Sequence, residues 1–193
     1  MMLRSFIAIE LPPAIQSAIA NSTAALQKAL PKPLVRWVTL GNLHLTLKFL
    51  GDVSPANLEQ LAEALKQESA RHEKISLSVG GLGSFPTSRR PRVIWIGLEA
   101  PGTLVGLQRA VEAVSSRMSY PAEDRPFSPH LTIGRVGQDI SPADLKRVSA
   151  AIEGTKVDFL GKVKVEAIHI FKSDLQPGGS VYTHLYALPL KPS

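Results

Sequence analysis

Two short stretches of the chain carry residue types that can move protons around a phosphate. His44-Leu45-Thr46 and His130-Leu131-Thr132 each hold an imidazole and a hydroxyl two residues apart, and in a β-strand that spacing points both side chains to one face. Leu43, Leu45, Leu47 and Phe49 are then expected on the opposite, apolar face of the first strand, and Leu131 and Ile133 on that of the second. If the two strands lie side by side, two imidazoles and two hydroxyls converge on one small volume. Imidazole titrates near neutral pH, so one ring can take a proton while the other gives one. The threonine hydroxyls can donate hydrogen bonds to phosphoryl oxygens between the rings. The implied chemistry is in-line attack on a strained phosphodiester, and it needs no metal or cofactor. A zinc site is the alternative for paired histidines, but the chain has no His-x-His, no His-Glu-x-x-His and no cysteine, and threonine is a poor zinc ligand.

A single strand-borne His-Leu-Thr is ordinarily structural; duplication weighs against that reading. His44-Leu-Thr-Leu-Lys-Phe-Leu-Gly51 is followed by Ser54-Pro55-Ala56-Asn57-Leu58, and His130-Leu-Thr-Ile-Gly-Arg-Val-Gly137 by Ser141-Pro142-Ala143-Asp144-Leu145. The histidines stand 86 residues apart. Leu58, Leu61 and Leu65 of the first copy match Leu145, Val148 and Ile152 of the second. Two copies of a strand-turn-helix unit are too few for a solenoid, so the expected arrangement is two lobes related by an approximate two-fold.

The elements that must hold these residues follow from Pro and Gly punctuation and from periodicity. An amphipathic helix is expected over 13–30, with Ile15, Ile19, Ser22, Leu26 and Leu30 at helical spacing. Strands are expected over 35–38 and 43–50. Ser54-Pro55 and Ser141-Pro142 each supply an N-cap serine and a first-turn proline, opening two more helices. Strands near 75–82 and 92–98, a helix over 103–118 and a strand over 130–136 complete the middle. Strands near 156–171 and 181–188 close the chain around a Pro177-Gly178-Gly179 turn. The class is α+β: a single bilobal domain over 1–193, with two antiparallel sheets, helices on their outer faces and the site in the cleft between lobes.

Composition sets the outer bounds. The 193 residues include 22 Lys or Arg against 16 Asp or Glu, a formal charge of +6 and a pI near 9.7. A hydrophobic fraction of 44% supports a sizeable core. With no cysteine, disulfides and thiolate chemistry are excluded, and a reducing compartment, the cytoplasm, is expected. No apolar run is long enough to span a membrane; the Phe6-Ile-Ala-Ile9 run, cut by Glu10 and Pro12-Pro13, reads as a first strand rather than a leader. The positive charge points to anionic partners, RNA among them.

The sequence resembles the 2H phosphoesterase superfamily, defined by paired His-x-Thr motifs, and within it the RNA 2′,3′-cyclic phosphodiesterase branch once named 2′-5′ RNA ligase. The resemblance rests on Arg4-Ser-Phe-Ile-Ala-Ile9, Arg36-Trp-Val38, Asn42-Leu-His-Leu-Thr-Leu-Lys-Phe-Leu-Gly51, Phe127-Ser-Pro-His-Leu-Thr-Ile-Gly-Arg135 and the Tyr182–Leu185 segment. It implies hydrolysis of RNA 2′,3′-cyclic phosphate ends to 2′-phosphates, with His44 as proton donor to the 3′ oxygen and His130 as the base for water. Thr46, Thr132 and Arg135 would hold the phosphate. It implies no membrane partner, and a monomer is expected.

Strict alternation places Arg135 opposite His130, so it reaches a phosphate only if the strand bends at Gly134, where glycine permits a bulge. Lys48, in register with His44 and Thr46, is a further phosphate candidate. His72 is expected to be exposed, and His169 and His184 to be hydrogen-bonded sheet histidines. Arg89-Arg90-Pro91-Arg92 could track an RNA backbone or be plain surface, and Phe6, Trp37, Phe85 or Phe127 could stack on a base or belong to the core. Beside RNA hydrolysis stand minor reverse 2′-5′ ligation, hydrolysis of small cyclic nucleotides, and a non-catalytic RNA- or nucleotide-binding module.

Overall fold

The elements read from periodicity are present, with boundaries shifted by a few residues. The computed structural model describes residues 2–177 and 179–191. In chain order they form β1 (Leu3–Glu10), α1 (Pro13–Ala29), β2 (Val35–Trp37), a 3-10 turn (Leu40–Asn42), β3 (His44–Val53), α2 (Pro55–Ser69), β4 (Ile75–Phe85) and β5 (Val93–Glu99), then α3 (Gly102–Arg117), β6 (His130–Val136), α4 (Pro142–Glu153), β7 (Phe159–Val165), β8 (Ala167–Gln176) and β9 (Gly179–Pro189). The single long strand expected over 156–171 is two strands, and Gly178 of the expected turn lies outside the described residues. Ser54 Oγ accepts from the Asn57 amide and Ser141 Oγ from the Asp144 amide, so both repeats open their helix with the same cap. No helix among the described residues is long and apolar enough to cross a membrane.

The strand order is β7-β4-β5-β6-β3-β1-β8-β9, antiparallel throughout, with β2 added beside β6. The two expected sheets are thus two four-stranded halves of one curled sheet. They meet where β3 and β6 pair through Leu45 and Leu131. α2 and α3 pack on the β3-β1-β8-β9 half, and α1 and α4 on the β7-β4-β5-β6 half. Between sheet and helices lies one continuous apolar core that includes Ile7, Leu45, Leu61, Leu65, Leu77, Ile96, Leu107, Leu131 and Val148.

The repeats do not coincide with the halves of the sheet. In chain order β1-α1-β3-α2-β4 corresponds to β5-α3-β6-α4-β8. Yet β4 pairs with β5 of the second repeat, and β8 with β1 of the first. Each repeat therefore lends its last strand to the other lobe.

Two expectations about β3 fail for one reason. Opposite β3, Ala8 pairs with Thr46 and Ile7 with Lys48, leaving Leu47 as an extra residue. This bulge reverses the alternation beyond it. Phe49, expected in the apolar layer, is 57% exposed, whereas Lys48 is 1% exposed on the core side. Lys48 Nζ donates to Glu112 Oε2 of α3 at 2.8 Å and to the Pro121 carbonyl at 2.7 Å. It is a buried tie between β3, α3 and the loop that leads to His130, and it holds no phosphate. Replacing Lys48 by Met strands the Glu112 carboxylate, whose Oε1 already has no hydrogen-bond partner among the described residues. The expected cost is about 3 kcal/mol, a fall in Tm of roughly 6–12 °C for a chain of this size. Adding Glu112→Leu should recover much of it. A thermal melt of Lys48→Met within about 2 °C of wild type would show that the tie is not structural.

Candidate active site

The motif residues start and end on opposed strands. Because Leu45 faces Leu131, extending that antiparallel register by one residue sets His44 across from Thr132 and Thr46 across from His130. Side chains opposite one another on antiparallel strands have Cβ atoms about 4.5–5.5 Å apart. The four form a square on the concave face, while Leu45 and Leu131 fill the core beneath. All four are half-buried, which leaves each polar tip within reach of a ligand.

Both rings are oriented in the same way. Nδ1 of His44 lies 2.7 Å from the Asn42 carbonyl oxygen, and Nδ1 of His130 lies 2.7 Å from that of Ser128. A carbonyl only accepts, so Nδ1 carries the proton and donates it, and each ring turns Nε2 toward the site. An aromatic ring braces each imidazole: Phe6 at 4.8 Å from His44, and Phe85 edge-on at 4.9 Å from His130. Tyr182 adds an edge contact to His44 at 5.2 Å.

Burial, above all, holds the His44 pKa below its ordinary value; the Asn42 carbonyl opposes this, and the positive charges of Arg135 and His130 reinforce it. These influences favour the neutral form of His44, and an arriving phosphate anion favours its protonation.

Arg135 reaches the site by the route its glycine allows. In β6, Thr132 pairs with Trp95 and Gly134 with Ile94, so Ile133 is an extra residue, at the position equivalent to Leu47 in β3. The bulge turns Arg135, otherwise opposite His130, onto the concave face, where it is exposed. Gly134 is required on the core side. A Cβ there would stand 2.9 Å from Val35 Cγ1 and 3.0 Å from Trp37 Cε3. The two repeats thus use one bulge differently, with Lys48-Phe49 in the first and Gly134-Arg135 in the second.

Arg36 is a residue that the sequence singled out only as part of a resemblance. It pairs directly across from Arg135 on β2 and is likewise exposed. Like charges facing one another across strands repel, and an anion between them relieves that repulsion.

The other candidates sort as follows. Trp37 donates Nε1–H to the Leu30 carbonyl at 2.9 Å and packs behind β6. Phe127 packs on the core, and Phe6 is buried with Ala8 and Phe171. Phe85 borders the site, and Phe49, which alternation hid, lies 6.1 Å from Phe6 in the open. His72, expected to be exposed, is half-buried with its Nε2 3.3 Å from Glu68. His169 and His184 are hydrogen-bonded to each other at 2.6 Å. Arg92 donates to the Gly137 and Gln138 carbonyls, while Arg89 and Arg90 are exposed and have no ion pair among the described residues.

A doubled unit that sets two imidazoles and two hydroxyls on paired strands beside two exposed arginines suits phosphoester chemistry. A sequence model of the LigT-like phosphoesterase family matches twice in tandem, over residues 9–95 and 96–182. The chain belongs to the LigT-like phosphoesterase family, and the two matches, which meet within β5, follow its two repeats. Among its relatives is the RNA 2′,3′-cyclic phosphodiesterase of Methanothermobacter thermautotrophicus, 31% identical over 96% of this chain and 97% of that one. A protein of the same name from Methanocaldococcus jannaschii is 35% identical over 93% and 96%. Among solved structures, Escherichia coli LigT complexed with 3′-AMP superposes with a TM-score of 0.77 at 26% identity, covering all of both chains.

Proposed function

We propose that the protein hydrolyses RNA 2′,3′-cyclic phosphate ends to 2′-phosphomonoesters by two-histidine acid-base catalysis without a metal. The observation that carries this reading is the pair of imidazoles, each oriented by an identical Nδ1–H to carbonyl bond, on two strands whose register sets His44 across from Thr132 and His130 across from Thr46. Thr46, Thr132 and Arg135 hold the cyclic phosphate. Nε2 of His130 removes a proton from water, whose oxygen attacks phosphorus in line. The P–O3′ bond breaks as Nε2–H of His44 protonates the departing oxygen, leaving a 2′-phosphate and a 3′-hydroxyl. His130 ends protonated and His44 neutral; exchange with solvent restores both. The substrate anion, by raising the His44 pKa on arrival, supplies the acid form that burial disfavours.

A 5′-hydroxyl in place of water would give 2′-5′ ligation by the same steps, and the abundance of water makes it the minor course. The names carried by the relatives support the substrate class. Arg89 and Arg90, exposed in the loop after β4, are available to the backbone of a polymeric substrate. Localisation in the cytoplasm and action as a monomer accord with this reading.

The deciding experiment incubates the full chain with an oligoribonucleotide ending in 2′,3′-cyclic phosphate, in excess EDTA, and identifies the new end. A 2′-phosphate formed no more slowly in EDTA than in its absence is expected. A 3′-phosphate would overturn the assigned leaving group, loss of activity in EDTA would overturn the metal-free mechanism, and tight binding without turnover would favour the binding-module reading.

A further inference from the structure

Away from the two motifs, three potential metal ligands from three neighbouring strands meet on the concave face. Glu10 ends β1, His169 lies on β8 and His184 on β9. One ligand atom of each lies within 4.8 Å of the other two. Nδ1 of His169 stands 2.6 Å from Nε2 of His184, and its Nε2 is 3.8 Å from Glu10 Oε2. We propose that Glu10, His169 and His184 form a site for one divalent ion of the zinc class, opening onto the pocket that His44 borders.

The donor set suits such an ion. Two neutral imidazoles and a carboxylate are a zinc ligand set that leaves a coordination position open. The two rings now share a single proton in their hydrogen bond. An ion in its place needs the nitrogens about 3.3 Å apart, for two bonds near 2.0 Å at a tetrahedral angle. Opening the pair by less than an ångström is within reach of His184 and Glu10, which are both exposed. His169 supplies the fixed corner. It is half-buried on β8, between Glu10 and His184.

The placement gives the ion a consequence. Glu10 pairs directly with His44 across β1 and β3. Glu10, His184, His44, Phe171 and Tyr182 line one pocket of about 340 Å³. An ion at the cluster occupies space next to the catalytic imidazole, so it competes with the substrate; this second step rests on the proposed function, while binding itself does not.

The test is calorimetric titration of the full chain with ZnCl₂, paralleled by Co²⁺ binding followed in the visible spectrum. Saturable binding of one ion per chain is expected. Glu10→Gln and His184→Asn, two exposed positions whose folding is verified by thermal melts, should each weaken it on the order of 10-fold or more. His44→Ala should bind as wild type does. No saturable binding, or binding lost in His44→Ala but kept in His184→Asn, would overturn the site. In the hydrolysis assay Zn²⁺ should raise KM and leave kcat unchanged. Glu10→Gln should keep its metal-free turnover and lose the inhibition. Saturable binding with an unmoved KM would overturn the shared-pocket step.

Discussion

Replacing either motif histidine by alanine is expected to lower kcat on the order of 10²-fold or more, with His130→Ala and His44→Ala losing comparable amounts. Proton transfer by a positioned side chain contributes about 10²–10⁴-fold, which is about 3–5 kcal/mol of the barrier. Each ring is held by one backbone carbonyl and by aromatic neighbours, Phe6 and Tyr182 at His44 and Phe85 at His130, so truncation should remove the imidazole with little disturbance to the strands. Binding of a 2′-phosphate product should therefore weaken far less than turnover. The double variant should lose less than the product of the two single losses, because residues acting as a unit are not additive. Single-turnover hydrolysis of a cyclic-ended oligonucleotide measures all three. A variant within a few-fold of wild type would remove that histidine from the chemistry.

The second large effect belongs to Arg135. Its guanidinium is a charged donor on the concave face, and loss of one such preorganised donor typically costs about 10²–10³ in rate. Arg135→Gln should show that loss in kcat/KM, and Arg135→Lys should recover part of it, since an ammonium keeps the charge but not the planar fork. A second readout separates this role from a structural one. The positive charge of Arg135 helps hold the His44 pKa down. Removing it should move the His44 ring titration, followed by NMR of the Cε1 proton, to higher pH. The sign is fixed: a neighbouring cation disfavours the imidazolium, so its loss favours it. An unmoved midpoint would mean that Arg135 does not sit beside His44 in solution.

The second motif was readable further than the first. Gly134 signals a possible bulge, and with it the correct face for Arg135. The first strand has the same bulge without a glycine to mark it, so alternation misplaces both Lys48 and Phe49. What fixes their faces is the pairing of Ile7 with Lys48 and Ala8 with Thr46, a register between strands more than thirty residues apart that no local pattern encodes. The acidic partner of Lys48 is equally non-local, since Glu112 lies on α3. Glu10, His169 and His184 were each visible, but only the adjacency of β1, β8 and β9 brings them together. By contrast the paired serine caps and the two histidines are encoded within single short segments, and these are where sequence and structure coincide.

The exchange of strands between repeats bears on how such a site can exist at all. A chain with one repeat would carry one motif histidine and a last strand with no neighbour of its own. Two copies could complete each other only as a swapped dimer, with the catalytic square on its symmetry axis. Joining the copies replaces that encounter by an intramolecular one, for which effective concentrations are of the order of millimolar even through a flexible link. The pair of imidazoles then persists at any dilution. Joined in one chain, the two copies need not be identical, and one bulge presents an arginine where the other presents a phenylalanine.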